Sequence, residues 1–117
     1  MRKPPFHKSV LNSVNGLIWM LKSERNFQLE VLALLVNLFL IVYLKLGATD
    51  TALILTVCFS VLSLEIVNTC VEKICDIINP EYDERIKIIK DIAAGSVVLM
   101  AMAAVFVGIL VYWKYLF

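Results

Sequence analysis

The chain has little with which to interrupt or cross-link a helix: 4 glycines and 3 prolines in 117 residues, with 3 cysteines and 1 histidine. Scarce breakers and a large apolar fraction exclude a collagen-like, disordered or low-complexity chain. The single histidine, His7, lies in the N-terminal arm and can build neither a histidine-based triad nor an imidazole metal cluster. Cys58, Cys70 and Cys75 are 12 and 5 residues apart, a spacing that fits no zinc or redox motif, so they read as small apolar packing residues. Net charge is also nearly absent, because 11 Lys and Arg stand against 10 Asp and Glu. No global basic field exists to attract nucleic acid. A P-loop is missing too, since Gly95-Ser96 lacks the preceding glycine pattern.

What is present is hydrocarbon. Hydrophobic residues make up 61% of the sequence, more than a single soluble domain of this length can hide, so the excess must face lipid. Crossing about 30 Å of hydrocarbon takes about 20 helical residues, and the sequence predicts three such spans. The first covers about 27–45, interrupted by Gln28, Glu30 and Asn37; the second covers about 51–79 and stops at Asn79-Pro80. The third lies within about 84–116, where Ile92 to Trp113 carries no charge and Asp83 is placed to cap the start. Its length makes its first turns project beyond the bilayer. Thr49 and Asp50 offer an N-cap region for the middle span.

Residues at about 6–24 form no compact apolar core with a small-residue cleavage site, so they do not read as a secretory signal. Phe6, Val10, Leu11, Val14, Leu17, Ile18 and Leu21 recur at helical spacing while Lys8, Asn12, Asn15 and Lys22 fall largely elsewhere. That is the pattern of an amphipathic helix lying in the membrane surface, with a packing helix on the soluble side as the alternative. The expected fold class is therefore all-α integral membrane, one domain over 1–117. Basic residues fix the orientation. Arg2, Lys3, Lys8, Lys22 and Arg25 precede the first span, and Lys73, Arg85, Lys87 and Lys90 lie around the second connection, leaving Lys45 and Lys114 for the other side. The positive-inside rule then makes the N-terminus and the second connection cytoplasmic.

The middle span carries a polar stripe. Asn68, Glu72 and Asp76 follow Glu65 by 3, 7 and 11 residues, which at about 100° per residue places all four on one helix face, with Thr69 beside them. Ionisable groups at membrane depth are costly and by default functional. Counted from Thr51, Glu65 lies about 21 Å inward, just inside the cytoplasmic edge of the hydrocarbon, while Glu72 and Asp76 lie about 32 and 38 Å inward, at or beyond the interface. The stripe climbs from water into lipid. Lys87, Lys90 and Asp91 share a face near the start of the third helix, where Lys90 can meet phosphate, Asp91 can join the carboxylates, and Lys87 suits a solvated ion pair. Carboxylates, an amide and a lysine suit Mg²⁺ holding nucleotide phosphates. These features fit a membrane enzyme acting at the cytoplasmic leaflet; an ion-coupled transporter also uses intramembrane carboxylates, and a structural membrane subunit is the third class.

Three blocks of sequence carry a resemblance. Glu65-Ile66-Val67-Asn68-Thr69-Cys70-Val71-Glu72-Lys73-Ile74-Cys75-Asp76 resembles the E-x-x-N-[ST]-x-x-E-x-x-x-D signature of the small prokaryotic diacylglycerol kinase and undecaprenol kinase family. Ser23-Glu24-Arg25-Asn26-Phe27 is similar to the family's E-x-N-F segment, and Lys90-Asp91-Ile92-Ala93-Ala94-Gly95 to its K-D-x-A-A-G motif. The resemblance implies a lipid kinase of the bacterial inner membrane, using ATP as co-substrate and Mg²⁺, with three transmembrane helices and a surface helix per chain. It also implies a homotrimer with composite sites between subunits. Glu65 would then be the base toward the lipid hydroxyl and Asn68 would orient groups beside it. Glu24 and Glu72 would ligate the ATP-bound metal, Lys90 would contact phosphates, Asp76 and Asp91 would shape the nucleotide pocket, and Glu30 would lie near the substrate. Gln28 and Asp83 depart from the common family residues, arginine and histidine. The K-D-x-A-A-G and E-x-N-F forms lean toward the undecaprenol branch. Glu24 and Glu30 are six residues apart and cannot share one face of a continuous helix, so either the chain bends near Arg25-Asn26, the favoured expectation, or only one of the two belongs to a given site. Small residues Ala93, Ala94, Gly95, Ala101, Ala103, Ala104 and Gly108 are expected to let helices approach closely.

Overall fold

A computed structural model describes residues 2–117, and among these all regular structure is helical: α1 Phe6–Ser23, α2 Arg25–Tyr43, α3 Ala48–Ile78 and α4 Glu84–Leu116. The last three are long and apolar enough to cross a membrane. At about 1.5 Å per residue α3 and α4 are about 46 and 50 Å long, so both outreach the hydrocarbon.

Each boundary has a local cause. Pro5 precedes α1, and its carbonyl accepts from the Lys8 and Ser9 amides at 2.9 and 3.0 Å. Glu24 alone separates α1 from α2, in an extended conformation (φ −110°, ψ 114°). Its N–H closes α1 on the Met20 carbonyl at 2.9 Å while its own carbonyl accepts the Gln28 amide at 3.0 Å, so one residue ends one helix and begins the next. The Gln28 side chain donates from Nε2 to the Leu21 carbonyl at 2.9 Å, stitching across the corner. The chain therefore turns at Glu24, one residue before the sequence expectation.

α2 ends in a Schellman turn. The Leu46 amide reaches back to the Ile41 carbonyl at 3.1 Å and the Lys45 amide to Val42 at 3.3 Å, with Lys45 in the left-handed region at φ 56°. α3 starts from Gly47, not from the Thr49-Asp50 region expected from sequence. Asp50 is engaged elsewhere: it accepts from Lys114 Nζ at 2.9 Å and from the Tyr115 hydroxyl at 2.7 Å, while that hydroxyl accepts the Gly47 amide at 3.0 Å. This clasp fastens the end of α4 to the start of α3. At the other end α3 stops at Asn79, extended ahead of Pro80 as proline demands, and Asn79 Oδ1 accepts the Glu81 amide. Asp83 caps α4 by accepting the Arg85 amide at 2.9 Å.

α2 and α4 both pack along α3, and α1 folds back onto α2. Met20, Phe27, Leu34 and Leu62 form a small buried cluster joining α1, α2 and α3, with Val31, Leu55, Cys58 and Ile66 against it. Lys73 Nζ sits 4.6 Å from the Trp19 ring centroid, a second tie between α1 and α3. Large apolar side chains such as Leu35, Phe39, Leu99, Met102 and Phe106 face outward from the spans, which is what a lipid-facing surface requires and a water-facing one does not tolerate at this scale. A Cβ placed on Gly95 or Gly108 would meet no neighbouring atom within 4 Å. Within the chain, open space lies where the side chains of these two glycines would be.

Candidate active site at the inner end of the second span

Among the described residues three polar ones are buried, Glu65, Asn68 and Thr69, and all sit on α3. Helical periodicity turns Glu65 toward α2, where Glu24, Asn26 and Glu30 come down from the corner, while Thr69 borders α1. The Glu65 carboxyl meets the Glu30 carboxyl and the Asn26 amide, and the carboxylates of Glu72 and Glu24 lie within electrostatic range of it. The helix break at Glu24 makes this possible: Glu24 stands at the corner itself and Glu30 lies six residues along α2, and both come within electrostatic range of Glu65.

Asn68 donates from Nδ2 to Glu72 Oε1 at 3.3 Å, one helical turn along α3. Its Oδ1 is buried and accepts no hydrogen bond within the chain, and the same holds for Glu30 Oε2. Two buried acceptors without donors are expensive in protein. They suit a site that receives a hydroxyl or a cation.

Below this cluster the stripe reaches water. Asp76 accepts from Lys90 Nζ at 2.6 Å, an exposed ion pair that joins α3 to α4. Asp91 lies one residue further and is exposed, but its partner is Lys87 on its own helix, at 2.6 Å. The structure thus brings Glu24, Glu30, Glu65, Asn68 and Glu72 together, places Asp76 with Lys90 beneath them, and leaves Asp91 outside the cluster formed by one chain. Sequence reasoning passed over Asn26, and it noted Gln28 only as a polar interruption and a departure from the family pattern. Asn26 was visible only as a letter inside the E-x-N-F block, and nothing in the helical pattern of Gln28 announces a bond across a corner.

The donor set is all oxygen. Glu72 keeps one carboxylate oxygen free of the Asn68 amide and is half-exposed, while Glu24 stands at the corner facing the same cluster. Among the described residues no three His, Cys, Asp or Glu side chains close around a single point. Mg²⁺ is commonly held by one or two carboxylates together with substrate phosphates. The residues present fit that manner of binding.

Outside the spans, the Asp83 carboxyl is held down at about 2 by the Arg85 side chain, which donates to both its oxygens, and by the Arg85 backbone amide. This fixes the start of α4, six residues before Lys90.

Fold and site together define a small polytopic membrane protein with a carboxylate cluster buried at one end of its spans and an exposed acid–lysine pair beneath. Residues 11–112 match the family described as prokaryotic diacylglycerol kinase, and the chain belongs to that family. It is a lipid kinase, and ATP is the phosphate donor that such an activity implies. Among curated proteins it is similar to the undecaprenol kinase of Bacillus subtilis (strain 168), 29% identical over 107 residues that cover 92% of this chain and 87% of that protein. It is also similar to a diacylglycerol kinase of Synechocystis sp., 34% identical over 94 residues that cover 80% of this chain and 54% of that one. Membership decides between the classes the stripe alone left open, in favour of an enzyme over a transporter or a structural subunit.

Proposed function

We propose that the chain transfers the γ-phosphoryl group of ATP to the hydroxyl of a membrane lipid alcohol at the cytoplasmic face of a bacterial inner membrane, with undecaprenol favoured over diacylglycerol. The observation that carries this reading is the buried Glu65 beside two unsatisfied acceptors, one end of a stripe whose other end is an exposed Asp76–Lys90 pair. A hydroxyl brought to the upper end finds carboxylate acceptors; phosphates brought to the lower end find a lysine.

Glu65 accepts the hydroxyl proton as the lipid oxygen forms its bond to the γ-phosphorus and the bond to the bridging oxygen of ADP breaks. The proton leaves through the carboxylates toward water along the stripe. Asn68 holds Glu72 through its amide and offers Oδ1 to the reacting groups. Glu24 and Glu72 are the ligands for Mg²⁺, which supplies charge neutralisation on the phosphates when bound. Lys90 exchanges its partner Asp76 for nucleotide phosphate, and Asp76 and Asp91 border the nucleotide. Glu30 faces the lipid side of the cluster.

The undecaprenol preference is supported by the K-D-x-A-A-G and E-x-N-F forms and by coverage of most of the Bacillus protein. The cytoplasmic placement is supported by the basic residues around the N-terminus and the second connection. In this reading α1 lies in the membrane surface through its exposed Phe6, Leu11, Leu17 and Trp19. The assembly is a homotrimer, and Asp91 completes a neighbour's site. Purified protein in mixed micelles with labelled ATP and Mg²⁺, given undecaprenol or diacylglycerol in parallel, is expected to label undecaprenol faster. Faster labelling of diacylglycerol reverses the preference, and labelling of neither removes the reading.

A further inference from the structure

A groove of about 360 Å³ runs between α2 and α4 along α3. Its α2 wall is Glu30, Ala33 and Asn37, one face of that helix, and its α4 wall is Ala101, Ala104, Val105 and Gly108. The chain directions put these walls in register. Moving outward from the site, α2 runs from Glu30 to Asn37 and α4 from Ala101 to Gly108, while α3 runs back from Val61 to Ile54. The inner end is therefore Glu30, whose carboxyl meets Glu65. The groove opens directly onto the candidate active site.

Its outer end is closed by a polar pair. Asn37 Oδ1 accepts from the Tyr112 hydroxyl at 2.7 Å, and Asn37 Nδ2 donates to the Ala33 carbonyl at 2.8 Å. The amide is satisfied on both sides, so it offers nothing to a polar ligand and serves as a tie between α2 and α4, two helices that otherwise pack on α3. Glu30 and Asn37 are seven residues apart, about 10 Å along the helix. Between them the lining is apolar and mostly small on the α4 side. The space exists because Ala101, Ala104 and Gly108 stand where larger residues would fill it.

We propose that this groove receives the first stretch of the acceptor lipid's hydrocarbon, directly above the hydroxyl held at Glu65, and that the Asn37–Tyr112 pair sets how deep that chain can run. The inference rests on the lipid kinase reading and adds to it the residues that discriminate acceptors by their apolar part. A lipid whose hydroxyl lies at Glu65 must lead its chain away from water, and the groove is the recess that continues from Glu30 in that direction. Its walls present no charge beyond Glu30 and no unsatisfied polar atom beyond Glu30 Oε2, which matches a hydrocarbon occupant.

The test uses the full chain with ATP and Mg²⁺ in mixed micelles and two acceptors of one type, one shorter than the groove and one longer: 3-methylbut-2-en-1-ol against undecaprenol, or diacetylglycerol against dioleoylglycerol, whichever type the unsubstituted protein phosphorylates. Gly108→Leu fills the groove where a side chain has room. It is expected to lower kcat/KM for the long acceptor about tenfold, the scale on which pockets sense added carbon, and to leave the short acceptor and the KM for ATP unchanged. Tyr112→Phe removes the tie while keeping the ring, and is expected to shift the long-to-short ratio toward the long acceptor by about threefold, the worth of a typical interhelical hydrogen bond in membranes. The ratio between acceptors is insensitive to how much protein folds. An unchanged ratio in both variants overturns the proposal and assigns the groove to bulk lipid or a second copy of the chain. Equal loss on both acceptors overturns it as well, by making Gly108 a packing residue. A failure of the kinase reading is distinct, because the unsubstituted protein then phosphorylates no acceptor.

Discussion

A carboxylate such as Glu65, buried on a span with another acid against it, is costly to fold around, and the chain offers no lysine or arginine to neutralise it there. The basic partner on the stripe, Lys90, lies beside Asp76, eleven residues from Glu65 and about 16 Å away along α3. Each end of the stripe therefore has its own task and its own test. Replacing Lys90 with alanine removes the proposed phosphate contact; the KM for ATP is expected to rise about tenfold or more, the scale of a charge-assisted hydrogen bond, with the KM for lipid unchanged in initial-rate kinetics. Asn68→Ala releases Glu72 from its 3.3 Å hydrogen bond, and half-saturation by Mg²⁺ is expected to move to higher concentration. The common face of Glu65, Asn68, Glu72 and Asp76 was legible from their spacing alone. The approach of Glu24, Asn26 and Glu30 was not, because it depends on a corner whose angle no helical period contains.

At the scale of elements, the corners govern where the site residues stand. Gln28 donates to the last turn of α1, so Gln28→Ala is expected to loosen the corner and lower kcat without altering the KM for ATP. Lys45 holds a left-handed conformation at φ 56°, which costs a side-chain-bearing residue about 1–2 kcal/mol and glycine little. Lys45→Gly is therefore expected to stabilise the protein by up to about 1 kcal/mol in reversible unfolding, with activity unchanged. Asp83 titrates at about 2 in the folded chain, depressed by Arg85. A depressed acid stabilises above its unfolded value, near 3.8, and that contribution is lost as pH falls through about 2. Hydrogen exchange in the first turn of α4 is accordingly expected to accelerate below about pH 4, and Asp83→Asn to weaken the response. The stop at Asn79-Pro80 and the cap at Asp83 could be read from residue types. The start at Gly47 could not, because Asp50 is drawn away by Lys114 and Tyr115, more than sixty residues distant in sequence.

The whole chain is a slab about 51 × 39 × 21 Å, built on α3, with apolar faces turned outward along its spans. Composition was enough to place such a chain in lipid, since a 61% apolar sequence of 117 residues has nowhere else to put its surface, and the lengths of its apolar runs were enough to count the spans. Composition was silent on the groove beside α3, whose volume comes from side chains that are small and from a hydrogen bond between residues 75 positions apart. The same outward faces are what a homotrimer would share, and a detergent-corrected mass by light scattering is expected at three chains per particle; one chain per particle in active preparations would confine the site to the residues one chain brings together. The central claim is that phosphoryl transfer to lipid takes place at the buried carboxylate of α3. The most direct measurement is the rate of labelled phosphate transfer from ATP to lipid by Glu65→Gln, which keeps the shape of the side chain and removes its basicity, beside the unsubstituted protein at matched elution volume and helicity. Loss of about 10² to 10⁴ in kcat, the worth of a general base, is the predicted result. A variant that transfers phosphate at near the normal rate would contradict the account.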